Sequence, residues 1–286
     1  MSALAVTSAR RRRADLLARG ALLAGLITAL IPLVLVLAYV VIRGAKALSW
    51  HLFTSDPTGA FFGDQGGIRS AILGTIEIVA LATLIAVPLG IALAVYLNEI
   101  GKQSKLAVTV RYFIDVLTGV PSIVFGLFIY TVFVVGGFGG GFAAWKGSLA
   151  LALLMLPVVT RASEVSLALV PDNLREAALA LGSPRWRMIK GVVLPTALPG
   201  LITGALLAIA RASGETAPLL FTVLGAQAVT FALSDQMNSL PLQIFNDVRQ
   251  PNPDLVARAW GSALTLILII LLINVAARLV ARRSRL

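Results

Sequence analysis

Four charged side chains stand where the chain otherwise avoids charge: Arg161 and Glu164 in LMLPVVTRASEVSLALVP, and Arg211 and Glu215 in ARASGETAPLL. The members of each pair lie three or four positions apart, so on a helix they share a face and can associate. A guanidinium stays ionised in any protein setting and offers a planar fork of N–H donors that fits the oxygens of an oxyanion. Two forks could hold a divalent anion, with Glu164 and Glu215 orienting them. The alternative is two structural ion pairs that lock helices together. A charge at the centre of a membrane span costs about 2.5–3.5 kcal/mol on insertion scales, so either role must offset that cost. Pro157 precedes Arg161 and Pro218 follows Glu215, and each loosens a helix near the charges, as where broken helices line a mid-membrane site. Glu77 is a weaker candidate for the same path, with pairing to an arginine, capping of a helix or protonation as its alternatives.

The elements that must hold these groups are membrane spans. The 286 residues are 58% hydrophobic and 13% charged, with a mean hydropathy of +0.91, too apolar for a soluble domain. Six runs approach the roughly 20 apolar residues that cross a hydrocarbon core: 20–42, 68–97, 112–135, 147–170, 200–226 and 261–280. The expected fold is an all-α polytopic membrane protein with six transmembrane helices. Residues 1–19 form a basic N-terminus, 20–280 the six-span domain and 281–286 a basic tail. The first run is too long for the apolar part of a signal peptide and is expected to be retained. Measured from 170 and 200, Arg161 and Arg211 lie about 14 and 17 Å from one membrane face, so they are expected to look onto a common site.

Basic residues set the orientation. Segments on one side hold Arg10 to Arg13, Arg19, Lys102, Lys105, Arg111, Arg175, Arg185, Arg187, Lys190, Arg278, Arg282, Arg283 and Arg285. The other side holds only Arg43, Lys46, Arg69, Lys146, Arg249 and Arg258. Both termini are therefore expected in the cytoplasm. The formal charge of +11 is mainly this topology signal, and a nucleic-acid partner is not expected. Without cysteine, disulfides and thiol chemistry are excluded, and the single histidine, His51, has no ligand cluster around it, so no metal site is expected. GGFGGG at 136–141 lacks the strand and the Lys-Ser or Lys-Thr of a phosphate loop and is expected to be a connector. A short run over 240–248 is expected to form a small helix on the outer surface, either a docking face or part of a solvated connector.

The loop at 171–199, PDNLREAALALGSPRWRMIKGVVLPTALP, reads as two helices about a glycine turn. Asp172 or Asn173 is expected to cap the first, Gly182 to end it, and Ser183 to cap a second with Pro184 at its first position. Exposed Trp186 with Arg185, Arg187 and Lys190 suits a partner's groove, although a rigid loop would look similar.

This loop resembles the EAA motif of importer permeases of the ATP-binding-cassette (ABC) class: Glu176, Ala177 and Ala178, then Gly182, then Val192, Leu194 and Pro195, with Val192 where the pattern has Ile. Residues 66–99, 117–128, 154–171 and 210–220 extend the resemblance to the phosphate-importer branch of that class. The resemblance implies a type I importer permease with a cytoplasmic coupling helix, acting in a bacterial plasma membrane. It also implies a homologous second permease of the PstC type, an ATPase pair of the PstB type and an extracytoplasmic phosphate-binding protein of the PstS type. Glu176, Ala177, Ala178, Gly182, Trp186, Leu194 and Pro195 would engage the ATPase, which would carry ATP and magnesium; this chain would need no cofactor and would not be an enzyme. Glu215 and Glu164 could accept the proton that hydrogen phosphate carries, which favours phosphate over a fully deprotonated anion. A permease for sulfate or molybdate, and an ion-coupled secondary carrier, remain the alternatives. An intramembrane enzyme, built on a serine such as Ser122 or Ser213, lacks an evident catalytic dyad.

Overall fold

The computed structural model describes residues 9–136 and 140–283. Its helices, in order, are α1 (Ala9–Ala47), α2 (Trp50–Thr54), α3 (Arg69–Val95), α4 (Lys105–Gly119), α5 (Ser122–Ile129), α6 (Ala144–Ala168), α7 (Asp172–Ala180), α8 (Arg185–Met188), α9 (Leu194–Ser213), α10 (Ala217–Thr222), α11 (Leu240–Val248) and α12 (Pro253–Arg283). π-helical segments extend α3 over Tyr96–Ile100 and α5 over Tyr130–Val135, and a third, Ile189–Val193, joins α8 to α9. The basic tails expected at 1–19 and 281–286 are helical where described, because α1 begins at Ala9 and α12 continues through Arg283.

Five helical stretches are long and apolar enough to cross a membrane: Arg13–Ala47, Arg69–Ile100, Ala144–Ala168, Arg185–Ser213 and Pro253–Leu279. The chain is thus a multi-pass membrane protein. The expected span at 112–135 is not one helix but a pair, Lys105–Gly119 and Ser122–Val135, bent by 103°. Proline at 121 forces the preceding residue out of the helical region, and Val120 is extended at φ −71° and ψ 130°. The expected span at 200–226 is also shifted. Its helix starts at Arg185 and stops at Ser213, and Leu224 (φ 66°) and Gly225 (φ 95°) rule out helix through Ala226.

The core is built by α3, α6 and α9. Between apolar helices in lipid there is little hydrophobic drive, so close approach at small residues does much of the work. Gly200 and Gly204 of α9 pack on Ser166 and Ala162 of α6, and a Cβ added at Gly204 would stand 2.5 Å from that of Ala162. Gly90 of α3 packs likewise on Val159. The contacts of Gly200 and Gly204 make α9 antiparallel to α6, and because Gly90 meets Val159 while Glu99 and Leu167 farther along both bind Arg175, α3 runs parallel to α6. Between them lie Ile78, Ala82, Leu151, Met155, Val159 and Ala208, all buried. At the periphery, α1 leans on α12 through the Tyr39 and Trp260 rings, 5.0 Å apart.

Three basic residues assigned to loops are buried instead. Lys146 is 1% exposed, and its Nζ donates to the carbonyls of Phe133, Gly140 and Gly141 at 2.7–3.0 Å. It therefore holds the described end of the glycine-rich connector; residues 137–139 of that connector lie outside the described residues. The second, Arg175, belongs to the functional loop. The third, Arg258, donates to both carboxylate oxygens of Asp247 at 2.7 and 2.8 Å and also to the Gln65 carbonyl. The helix expected on the outer surface, α11, is consequently packed into the protein, with Leu240, Leu242, Gln243 and Asp247 buried. Removing one partner of a buried ion pair strands the other and costs about 3–5 kcal/mol. Asp247→Ala should therefore lower thermal stability in detergent markedly, and adding Arg258→Met should recover much of the loss; an unchanged midpoint in the single variant would contradict this packing.

Candidate functional site

The two charged pairs expected to act together have different surroundings. Around Arg161, α4 and α6 share a closed network. Arg161 donates from Nη1 to Glu164 Oε2 at 2.7 Å, from Nε to Asp115 Oδ1 at 2.9 Å, and from Nη2 to the same Asp115 oxygen. Glu164 Oε1 accepts from Arg111 Nε at 2.7 Å. Arg111 spends its other nitrogens on the carbonyls of Lys102 and Leu97. Two guanidinium groups meet two carboxylates, so the network is formally neutral. It ties the helix before the 103° bend to the core. The sequence reading missed Asp115 and Arg111 as members; the available signal was an acid four residues after an arginine, inside an apolar run.

Arg211 differs in that its donors are unspent. It lies in the last turn of α9, where the helix dipole favours a cation, and its side chain is 47% exposed. Its Nε is 3.8 Å from Glu215 Oε1, an ion pair without a hydrogen bond, and among the described residues it makes no other polar contact. Glu215 sits in the break after Ser213, held there by its own N–H bonded to the Ala212 carbonyl, and its side chain is only 19% exposed. An open fork with a half-buried carboxylate behind it can take an anion's oxygens. A saturated fork cannot without first breaking its pairs.

Nor do the two arginines stand at one level. With Ala162 opposite Gly204 and Ser166 opposite Gly200, Arg161 is level with residue 205, about 9 Å along the axis from Arg211. The expectation of equal depth measured α9 from Gly200, whereas its helix begins earlier. A groove of about 620 Å³ between α6 and α9 is lined by Arg161, Val165, Thr203 and Leu207, and Arg211 is not among its lining residues. Glu77 is more distant still. With Gly90 beside Val159 in parallel helices, it lies roughly 20 Å along the axis from the Arg161 level. It is half-buried and has no polar partner among the described residues. The Gly66 N–H, and after it His51 at 3.1 Å, holds the Asp64 carboxyl below its usual pKa.

The second site is the loop between α6 and α9. Its two helices and glycine turn form as expected, with Gly182 at φ +78°. The expected caps do not form: Pro171 and Pro184 occupy the positions before the helices, and neither start has a side-chain cap. Proline restricts the chain there without needing a donor. Glu176, Ala177, Gly182, Trp186 and Pro195 are exposed, and Ala178 and Leu194 are half-buried against the apolar cluster beneath. Arg187 lies 5.2 Å over the Trp186 ring. Arg175 is buried, with its Nη2 2.8 Å from Glu99 Oε1, and that hydrogen bond raises its pKa, so it stays charged.

The chain is 42% identical to the phosphate transport system permease protein PstA of Pasteurella multocida, over 85% of this chain and 86% of that protein. The PstA of Yersinia pestis is 41% identical over 96% and 92%, and PstA 1 of Mycobacterium tuberculosis 42% identical over 96% and 91%. Two solved structures share the fold. A subunit of the MetNI methionine ABC transporter, in an inward-facing conformation, superposes with a TM-score of 0.60 at 22% identity, covering 76% of this chain and 94% of that one. A bacterial ABC transporter that imports the acidic polysaccharide alginate gives 0.62 at 17% identity, covering 94% and 97%. Residues 86–286 match the family described as binding-protein-dependent transport system inner membrane component. Spans broken by proline and glycine, an exposed EAA loop on a buried arginine and this match agree: the chain belongs to the binding-protein-dependent transport system inner membrane components.

Proposed function

We propose that this chain is the permease subunit of an ATP-driven phosphate importer. The observation that carries the reading is its similarity, along nearly the whole chain, to phosphate transport permeases. The basic ends and the α7–α8 loop face the cytoplasm of a bacterium, and the chain lies in the plasma membrane. A PstC-type permease completes the path, a PstB-type ATPase pair binds ATP and magnesium, and a PstS-type protein delivers phosphate. This chain hydrolyses nothing itself and holds no cofactor.

Arg211 is the direct anion contact in this reading, because its donors make no hydrogen bond among the described residues, and Glu215 orients it. Arg161 and Glu164, bound to Asp115 and Arg111, fix the α4 bend that shapes the path. Glu77, which has no polar partner among the described residues, is a further acid assigned to the route.

The test is uptake of labelled phosphate into proteoliposomes holding the assembled complex. Uptake should require ATP and the binding protein, survive a protonophore, and resist excess sulfate or molybdate. Competition by either as strong as that by phosphate would move the assignment to another oxyanion. Collapse under a protonophore with ATP present would point to an ion-coupled carrier.

A further inference from the structure

One cation joins three helices at the base of the loop. Arg175 has a side chain 9% exposed, and its partner Glu99 only 3%. Nε and Nη2 of Arg175 donate to Glu99 Oε2 and Oε1 at 3.3 and 2.8 Å, gripping the π-helical end of α3. Nη2 also bonds the Leu167 carbonyl of α6 at 2.9 Å. Nη1 bonds the Val170 carbonyl at 2.5 Å and Asp172 Oδ1 at 3.0 Å, at the start of α7. Every nitrogen of the fork is occupied.

What this joint connects follows from the chain path. Helix α8 runs on through its π-helical segment into α9, so any push on the loop reaches α9 through the backbone. Helix α3 has no such link, since Glu99 and Arg175 are 76 positions apart in sequence. Among the described residues, no other side chain of 171–193 forms an ion pair or hydrogen bond to α3 or its π-helical end. The remaining support is apolar: half-buried Ala178 on a seat of Ala94, Leu167, Val170, Met188 and Val193. Such a seat resists separation but can slide, because apolar contact has no directional preference. A bidentate, charge-assisted pair fixes direction as well as distance.

We propose that the Arg175–Glu99 pair is the joint that makes α3 move with the α7–α8 loop, so that ATPase motion reaches α3 and α6 as well as α9. Arg175 and Glu99 are thus positioning residues for transport. The proposal rests on the reading of the loop as the ATPase contact.

The test compares phosphate imported per ATP hydrolysed in proteoliposomes containing the whole complex. Glu99→Gln keeps the side-chain shape and removes the charge; it should lower that ratio at least tenfold while hydrolysis continues. Glu99→Asp, which keeps the charge, should hold the ratio within about threefold of wild type. A merely structural role would reduce import and hydrolysis together and leave the ratio unchanged, and that result overturns the joint. If Glu99→Gln fails to assemble, Glu99→Cys with Arg175→Cys, bridged by a flexible bifunctional thiol reagent in this cysteine-free chain, replaces it. A ratio that rises on bridging supports the joint, and an indifferent one overturns it. Failure of the wild-type complex to import phosphate would instead defeat the functional reading beneath it.

Discussion

Replacing Arg211 by Gln should lower ATP-driven phosphate uptake by roughly a hundredfold while the variant still assembles with its partners. Losing one charge-assisted contact to a desolvated anion is worth about 3 kcal/mol, or two powers of ten. The expectation is specific to Arg211 because its fork is half-exposed and, among the described residues, donates no hydrogen bond that the fold would lose with it. Its ion-pair partner, Glu215, lies beyond hydrogen-bonding distance at 3.8 Å. Arg211→Lys keeps the charge but loses the planar fork, and should retain an intermediate rate. Uptake and copurification measured on the same preparations decide the matter. Normal uptake by Arg211→Gln would remove Arg211 from the path, and lost assembly would show that it holds the fold or an interface.

Trp186→Ala should weaken association with the ATPase about 30-fold or more without changing the stability of this chain. The indole is 61% exposed at the start of α8, carries Arg187 over its face, and is flanked by exposed Arg185. A large aromatic anchor that is buried only in a complex is worth about 2–4 kcal/mol when truncated. Its own fold loses little, because the apolar cluster under the loop, with Met188, Val193 and Ala197, does not include Trp186. Copurification of solubilised complex, with a thermal midpoint for the isolated chain, separates the two effects. Unchanged association would mean that the EAA loop makes its contact without this ring.

The two variants probe opposite ends of one machine, and their phenotypes should differ in kind. Arg211→Gln should leave a complete complex that hydrolyses ATP and moves little phosphate. Trp186→Ala should leave a sound permease without its engine. A variant of the Arg175–Glu99 joint should hold both halves together and run them out of step.

Much of this was legible along the chain. Mean hydropathy and run lengths gave the membrane class and the rough position of most spans, because lipid requires about 20 apolar residues wherever a helix crosses, but not the bend within 112–135 or the earlier start of the helix ending at Ser213. The EAA loop was readable because its glycine turn, prolines and exposed aromatic follow local rules: Gly182 needs a positive φ, and each helix starts beside a proline. The pairing of Arg161 with Glu164 followed from helical periodicity alone.

What only the tertiary structure decided is where each charge is spent. Arg161 and Arg211 have the same residue type, similar acidic neighbours and similar apolar surroundings in sequence. One is saturated by Asp115 from a different helix, and the other is left open. Arg175, Lys146 and Arg258 count equally as loop charges in a topology rule, yet all three are buried against partners remote in sequence or against backbone carbonyls. Local spacing specifies which groups share a helix face, whereas an ion pair between helices depends on packing register. That register was set here by a few glycines, Gly90, Gly200 and Gly204, whose contacts across the bundle no one-dimensional pattern reveals.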